Sequence, residues 1–319
     1  MMICCFITGC FGNNNNGTDK FIKKVEKTKN YYLTGELLII NNEDTYKYDV
    51  SVSYKDKDYY KVELINKTNN HEQIILRNDE GVYVLTPSLN KSFKFQSEWP
   101  YNNSQSYLLQ SLVTDIENDK NKKVTKNKKE TIITTNVNYS NNKNLKNQKI
   151  YLNKSSMVTK VEVYDEDNNL KIKMTFDDID LKSKFDKDYF KLEQNVSYEK
   201  VEETSKTLED IVYPMYMPTN TYLASEDKVL LENGERVILT FLGDSPFTLI
   251  EETATVSDEL ETINMYGEPE LLIDTVGALS DNSITWISDG VSYYATSETL
   301  KEDELLEVVK SISAVPVSK

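Results

Sequence analysis

The sequence predicts an α+β protein in two parts: a large, strongly curved antiparallel sheet with helices on its concave side, then a smaller α+β domain. Three observations carry this. Roughly ten short segments between Tyr31 and Phe176 alternate apolar and polar residues at a period of two, with polar turns between them. One stretch, Trp99 to Asp119 (WPYNNSQSYLLQSLVTDIEND), departs from that alternation. There Leu108, Leu109, Leu112, Val113 and Ile116 recur at helical spacing, with Gln110, Ser111, Thr114, Asp115 and Glu117 opposite. Finally, the polar run Glu193 to Lys206 has no sustained apolar period and separates this series from a second set of strand-like runs. The expected division is therefore residues 1–17 as signal and tether, 18–192 as the first domain, 193–206 as linker and 207–319 as the small acidic domain.

In chain order, Thr18 to Lys29 reads as an amphipathic helix with Phe21, Ile22 and Val25 on one side. Strands are expected at Tyr31–Ile40 and Thr45–Tyr54, the latter with Tyr46, Tyr48, Val50, Val52 and Tyr54 on one face. Tyr59–Ile65, Gln73–Arg77, Val82–Thr86 and Ser92–Gln96 continue the meander. Pro100 and the Asn102, Asn103, Ser104 run mark the approach to the central helix as breaker and N-cap. Beyond a lysine-rich loop, strands resume at Glu130–Tyr139, Gln148–Leu152, Val158–Tyr164 and Leu170–Phe176. Asp165 to Asn169 joins the last two as a solvated hairpin turn, since it lacks the glycine and terminal glutamate of a calcium loop. In the second part, Tyr213 to Pro218 enters extended because of its prolines. Strands follow at Lys228–Leu231, Arg236–Leu242, Phe247–Thr253, Leu271–Val276, Ser283–Ser288 and Val291–Thr296, with Asp289-Gly290 as a hairpin signal. A helix from Leu300 to Ser313 closes the chain, with Thr299 and Glu302 in capping-box spacing.

Composition narrows the function. Apolar residues make up only 39% of the 319, but 21 Tyr and 10 Phe supply the ring area a core needs. A net charge of −15 excludes nucleic acid as the partner, because phosphate binding needs a basic surface that releases counterions. The charge is uneven: residues 206–319 hold 6 basic against 22 acidic residues, while 1–205 are nearly balanced at 31 against 30. Within that balanced part Lys120, Lys122, Lys123, Lys126, Lys128 and Lys129 form a basic cluster, either a solvated face or a contact for the acidic domain or a polyanion such as cell wall or lipid headgroups.

All three cysteines, Cys4, Cys5 and Cys10, lie in the first ten residues, so the body of the chain has neither disulfide nor thiol. Ile7-Thr8-Gly9-Cys10 resembles a bacterial lipobox, which assigns acylation to Cys10 and makes Phe11 to Gly17 a flexible tether. The single histidine, His71, sits among polar residues, and the glycines are isolated turn residues. Neither a histidine-dependent triad, a zinc set nor a phosphate loop can be assembled, so no enzyme activity, cofactor or metal is expected. Tyr46, Tyr48, Tyr54 and Tyr60, with Leu108, Leu112 and Ile116, form the candidate ligand or partner face; the same residues also suit a core.

Four features together resemble the LolA, LolB and RseB family of lipoprotein-carrier-like domains: the N-terminal helix feeding a meander, WPYNNSQSYLLQSLVTDIEND, the pair VTKVEVYDEDNNLKIKMTFDDID, and DKDYF at Asp186 to Phe190. Within it the chain is most similar to sporulation lipoproteins of Gram-positive spore formers, the GerS type. The resemblance implies a half-open antiparallel β-barrel wrapped around helices. It also implies a non-enzymatic protein, lipid-anchored at the outer face of the cell membrane, that pairs as a homodimer and binds a cell-wall amidase or another envelope protein in sporulation and germination. The alternative is a carrier or sensor of lipid or lipoprotein acyl chains, which predicts a continuous apolar cavity beneath Leu108 to Ile116.

Overall fold

Alternation at a period of two builds most of the molecule. The computed structural model describes residues 16–41, 44–56, 58–139, 142–196, 208, 210–255, 259–272, 274–288 and 290–312. Cys10, residues 11–15 of the expected tether and most of the 193–206 linker lie outside the described residues, whereas Asn16 and Gly17, expected as tether, open the first helix.

The front strands are β1 (Asn30–Asn41), β2 (Asp44–Lys55), β3 (Tyr59–Asn66), β4 (Glu72–Asn78), β5 (Gly81–Thr86) and β6 (Lys91–Phe95). Past the helical region come β7 (Lys123–Lys126), β8 (Thr131–Asn136), β9 (Leu145–Leu152), β10 (Val158–Asp165) and β11 (Leu170–Asp180). The rear strands are β12 (Thr221–Leu231), β13 (Gly234–Gly243), β14 (Phe247–Thr253), β15 (Glu261–Met265), β16 (Glu268–Leu271), β17 (Val276–Ser280), β18 (Ser283–Ser288) and β19 (Val291–Thr296). Three α-helices complete the fold: α1 (Asn16–Glu26), α2 (Leu109–Asn118) and α3 (Glu302–Ile312).

A twelve-stranded sheet runs β15-β6-β5-β4-β3-β2-β1-β11-β10-β9-β8-β7 and is open, its edges β15 and β7 unpaired with each other. A second sheet runs β12-β13-β14-β19-β18-β17-β16. At Gly35 the β1 register shifts against β11, and an added Cβ would stand 2.1 Å from the Thr175 carbonyl oxygen, so only glycine fits this bulge.

The helices lie where the alternation needs them. Phe21 and Val25 of α1 and Leu109, Leu112 and Ile116 of α2 are buried against Leu33, Leu37, Val50, Val62, Ile133 and Ile150 of the first sheet. Each such side chain contributes roughly 1.5–3 kcal/mol by leaving water. The outer faces of β4 and β5 are covered too: Ile74, Leu76, Tyr83 and Leu85 pack on Phe190 and Leu192, so the DKDYF stretch works as a clasp. In the rear sheet, Val237, Leu239, Leu249 and Trp286 pack on Leu305, Leu306, Val309 and Ile312 of α3.

Several expectations are corrected. α2 starts at Leu109 without a side-chain cap; Ser104 hydrogen-bonds Asp115 inside the core, and Ser111 Oγ accepts the Gln105 N–H at 2.7 Å. Asp115, read as part of the wet face, is buried. The lysine-rich loop contains β7, and β12 starts at Thr221, well ahead of the expected Lys228. Leu271–Val276 is a turn between strand ends, because Leu272 N–H donates to the Thr275 carbonyl at 2.9 Å and reverses the chain. Ahead of α3, Ser297 Oγ accepts the Leu300 N–H at 2.9 Å and Glu304 accepts the Lys301 N–H at 3.3 Å, in place of Thr299 and Glu302.

The most consequential difference is β15. It leaves the rear segment and adds to β6 as the one parallel pair among the described residues, with Ile263 opposite Phe93 and Met265 opposite Phe95. Around it, Ser92 and Thr262 hydroxyls meet at 2.8 Å, and the Glu261 N–H donates to the Asn90 carbonyl at 2.9 Å. The buried Gln73 carboxamide bonds both the N–H and the carbonyl of Val276, acting as an extra rung between the sheets. Ala254, Val276, Ala278 and Ile287 of the rear segment accordingly belong to the front core.

Candidate functional site

Where the two sheets meet, a cavity of about 290 Å³ opens among stretches remote in sequence. One wall is the end of β1 (Ile39, Ile40), with Ile172 of β11 and Leu145 of β9. The segment ahead of α2 supplies Trp99, Gln105, Ser106 and Tyr107, and Tyr139 stands beside them. The β10–β11 turn contributes Asp165, Glu166 and Asp167. The rear segment closes it with Pro269, Glu270 and Leu271 of β16 and Glu307 and Lys310 of α3. Lys310 faces Glu270 at 3.8 Å across this wall, with both side chains largely buried. Burial pushes the Tyr107 phenol far up, and the negative field of Glu270 adds to it, so Tyr107 stays neutral. The turn is already built: Asp165 accepts the Asn169 side-chain amide at 3.0 Å and the backbone N–H groups of Asn169 at 2.8 Å and Asp167 at 3.0 Å, which holds its carboxyl below the ordinary value. The cavity therefore offers rings and aliphatic side chains together with carboxylates.

Beside this cavity runs a buried polar network. Asp115 of α2 is 9% exposed and accepts hydrogen bonds from Ser104 Oγ at 2.9 Å and Gln148 Nε2 at 2.7 Å. Its backbone carbonyl takes the Thr135 hydroxyl at 3.1 Å. Burial raises its carboxyl from 3.8 to about 6, against the opposing pull of those two donors. The network ties α2 to β8 and β9, while Ser104 Oγ also accepts the Asn138 N–H at 2.8 Å.

The residues singled out from sequence lie elsewhere. Tyr48, Tyr54 and Tyr60 are buried in the front core and Tyr46 packs against its edge. Tyr31, Tyr54 and Tyr60 stack in sequence at centroid distances of 5.1 and 5.0 Å, with Trp99 edge-on to Tyr60 at 5.9 Å. Leu108, Leu112 and Ile116 have no exposure. None of the seven lines the cavity between the sheets; Tyr54 borders a shallower one with Val25, Gln110 and Val113.

The second candidate surface is the free edge of the rear sheet. β12 pairs on one side only, with β13, and its side chains are exposed along nearly its whole length. Tyr222, Leu223, Val229 and Leu230 stand on it, Leu230 at 77% exposure, and Tyr213, Met215 and Tyr216 lie exposed in the segment before it. That segment is pinned by Glu251 of β14, which is fully buried and takes the Val212 N–H on both carboxylate oxygens at 3.1 and 3.2 Å. Burial pushes the Glu251 carboxyl up to about 7. Among the described residues no group of three metal-ligating side chains occurs, and no helix is long and apolar enough to cross a membrane.

Comparison with known proteins places the chain. The family described as Sporulation protein YdcC-like matches residues 1–190. Sporulation protein YdcC of Bacillus subtilis (strain 168) is 37% identical over 295 residues, 91% of this chain and 87% of that protein. Among solved structures, the Pseudomonas aeruginosa MucA/MucB complex aligns over 94% of this chain and 98% of the other at 11% identity and a TM-score of 0.35. GerS lipoprotein with the CwlD amidase of Clostridioides difficile aligns over 56% of this chain and 98% of the other, at 18% identity and a TM-score of 0.32. With the family matching well over half its length, and a relative of that identity spanning nearly all of it, the chain belongs to the sporulation protein YdcC-like family.

Proposed function

We propose that the chain is a non-enzymatic binding protein of sporulation, anchored through acylated Cys10 at the extracytoplasmic face of the cell membrane, that docks a protein partner on β12. The observation that supports this best is the open edge itself. An eleven-residue strand with unpaired backbone groups and exposed Tyr222, Val229 and Leu230 is a ready acceptor for an added strand. Its charged centre, Glu226-Asp227-Lys228, works against indiscriminate pairing. In this reading residues 18–192 form a half-open barrel unit and 207–319 the partner-binding unit. A spore-cortex amidase is the partner that the resemblance to GerS-type lipoproteins implies, with a homodimer as the binding form.

The test uses the full-length chain and the amidase of the same cells. Tyr222→Glu with Leu230→Glu changes exposed side chains only, so the melting curve should hold while affinity for the amidase falls by more than about tenfold. Unchanged affinity would remove β12 from the interface, and absence of any complex would remove the amidase. A second reading, carriage of lipid or acyl chains, is favoured by the apolar wall of Ile39, Ile40, Ile172 and Leu271 in the cavity between the sheets. Extracted lipid at one molecule per chain, lost on Ile172→Asp, would bring that reading forward.

A further inference from the structure

One corner of the first sheet collects more lysines than carboxylates. In strand order, Lys126 at the end of β7 pairs with Thr131 of β8, Thr131 with Leu152 of β9, and Leu152 with Val158 of β10. This row places the β7–β8 and β9–β10 turns at the same end of the sheet. The first turn carries Lys128 and Lys129, the second Lys154. α1 lies against this end: its Gly17 abuts the Thr131 side chain, and Lys24 donates to the Ser155 carbonyl in the second turn. Lys20 and Lys23 are exposed on α1. Seven lysines (20, 23, 24, 126, 128, 129 and 154) thus face three carboxylates, Asp19, Glu26 and Glu130. Lysines elsewhere in this acidic chain, such as Lys61, Lys160, Lys228 and Lys310, sit in ion pairs, yet none of these seven does so among the described residues. The first turn is also held in shape independently of any partner. Asn127 Oδ1 accepts the N–H groups of Lys129 at 2.7 Å and Glu130 at 2.9 Å, leaving both lysine side chains in solvent.

We propose that this corner is an electrostatic membrane contact, seating the fold on an anionic phospholipid surface with α1 and the two turns toward the headgroups. Two further observations favour a bilayer. Residues 1–15, with the apolar run MMICCFITGC, join the described fold at α1 and hence at this corner. The acidic rear segment joins the first sheet through β15, at the edge opposite β7. A chain that is positive at one edge and strongly negative beyond the other is oriented by a negatively charged plane, the lysines inward and the rear sheet away. The contact shares with the proposed function the premise that the chain works beside a membrane, and it requires no acylation.

The test separates the two. Full-length chain carrying Cys10→Ala is mixed with phosphatidylglycerol–phosphatidylcholine vesicles and with phosphatidylcholine vesicles, and the bound fraction is read by sedimentation at low and high salt. Binding to the anionic vesicles alone, weakened by salt, is expected. Because each surface lysine contributes roughly a fivefold factor, Lys126→Gln, Lys128→Gln, Lys129→Gln and Lys154→Gln together should lower partition by about 600-fold. Exposed as they are, these changes leave the melting curve in place. Equal binding to both vesicle types, no binding, or binding that survives the four substitutions would overturn the proposal. Displacement from vesicles by soluble poly(glycerol phosphate) at equal phosphate would also overturn it, assigning the corner to a wall polymer. Failure of the anchor alone would show as Cys10 without an acyl group in the mass spectrum of the chain purified from cells, a result these vesicles do not touch.

Discussion

Asp115 makes the reading of the core measurable. The folded chain holds its proton up to about pH 6, against an ordinary value of 3.8, because burial on the inner face of α2 penalises the anion more than Ser104 and Gln148 favour it. A carboxyl raised in the folded state lends stability that is present at low pH and lost as pH rises from 3.8 through about 6. The whole loss is about 3 kcal/mol, of which about 2 kcal/mol falls between roughly pH 4 and 7.5. Asp115→Asn removes the titration without removing the network. Its amide oxygen still accepts from Gln148 Nε2, and its amide nitrogen can donate to Ser104 Oγ, which rotates to accept. The variant should therefore match or fall below the parent near pH 4 and exceed it by on the order of 2 kcal/mol at pH 7.5. Urea unfolding of both chains at matched pH values gives the difference directly, and subtracting one curve from the other cancels the many shared carboxylates. Parallel pH profiles for parent and variant would show that Asp115 is solvated, and that α2 is not seated as described.

Two other perturbations address the joint between the sheets and the segment before β12. Gln73→Leu leaves the buried N–H and carbonyl of Val276 without their partner, which should cost about 1–3 kcal/mol and lower the urea midpoint; an unchanged midpoint would mean the rung is not formed. Glu251→Gln keeps an acceptor for Val212 but abolishes a carboxyl raised to about 7, whose stability contribution is lost as pH rises from 4.5 through 7. The variant should gain up to about 3 kcal/mol over the parent at pH 8 and nothing near pH 4, with proteolysis near Tyr213 slowed in step. Equal cleavage rates at pH 8 would sever Glu251 from the order of that segment.

The front of the fold was legible because a sheet with one wet face writes its register into alternate residues. Tyr48, Val50, Val52 and Tyr54 could hardly be placed otherwise, and they are all buried. Asp115 was misjudged for the complementary reason. A helical projection assigns a carboxylate to water, and nothing near it in sequence announces that Gln148, 33 residues on, will supply a donor. β12 escaped notice beyond Lys228 because an edge strand exposed on both faces has no reason to alternate. Ile263 and Met265 are the only apolar residues of β15, too few to mark a strand, and a parallel partner some 170 residues earlier in the chain leaves no local signature. The cavity between the sheets was invisible on the same principle: β1, the segment before α2, the β10–β11 turn, β16 and α3 each contribute a few side chains that carry meaning only once β15 has brought the rear segment home.

That insertion also decides what the molecule can offer a partner. Because β15 extends the first sheet and Gln73 bonds Val276, the β16–β17 side of the second sheet is committed to the front core, and its side chains close the cavity. The opposite side ends in β12, which pairs with no second strand among the described residues. The first sheet is polarised in the same sense: one edge receives β15, the other is β7 with its lysines. A protein that merely enclosed a ligand would gain nothing from leaving a long strand edge with exposed Tyr222, Val229 and Leu230 unpaired, at a solubility cost. An arrangement with cations at one extreme of the first sheet's strand order and an unpaired strand at one extreme of the second's instead suits a support that holds a bound protein beside a membrane. The Tyr222 and Leu230 substitutions and the four lysine substitutions act on those two extremes separately. If each abolishes its own contact while sparing the other, the body between them is the rigid spacer that its interlocked sheets imply.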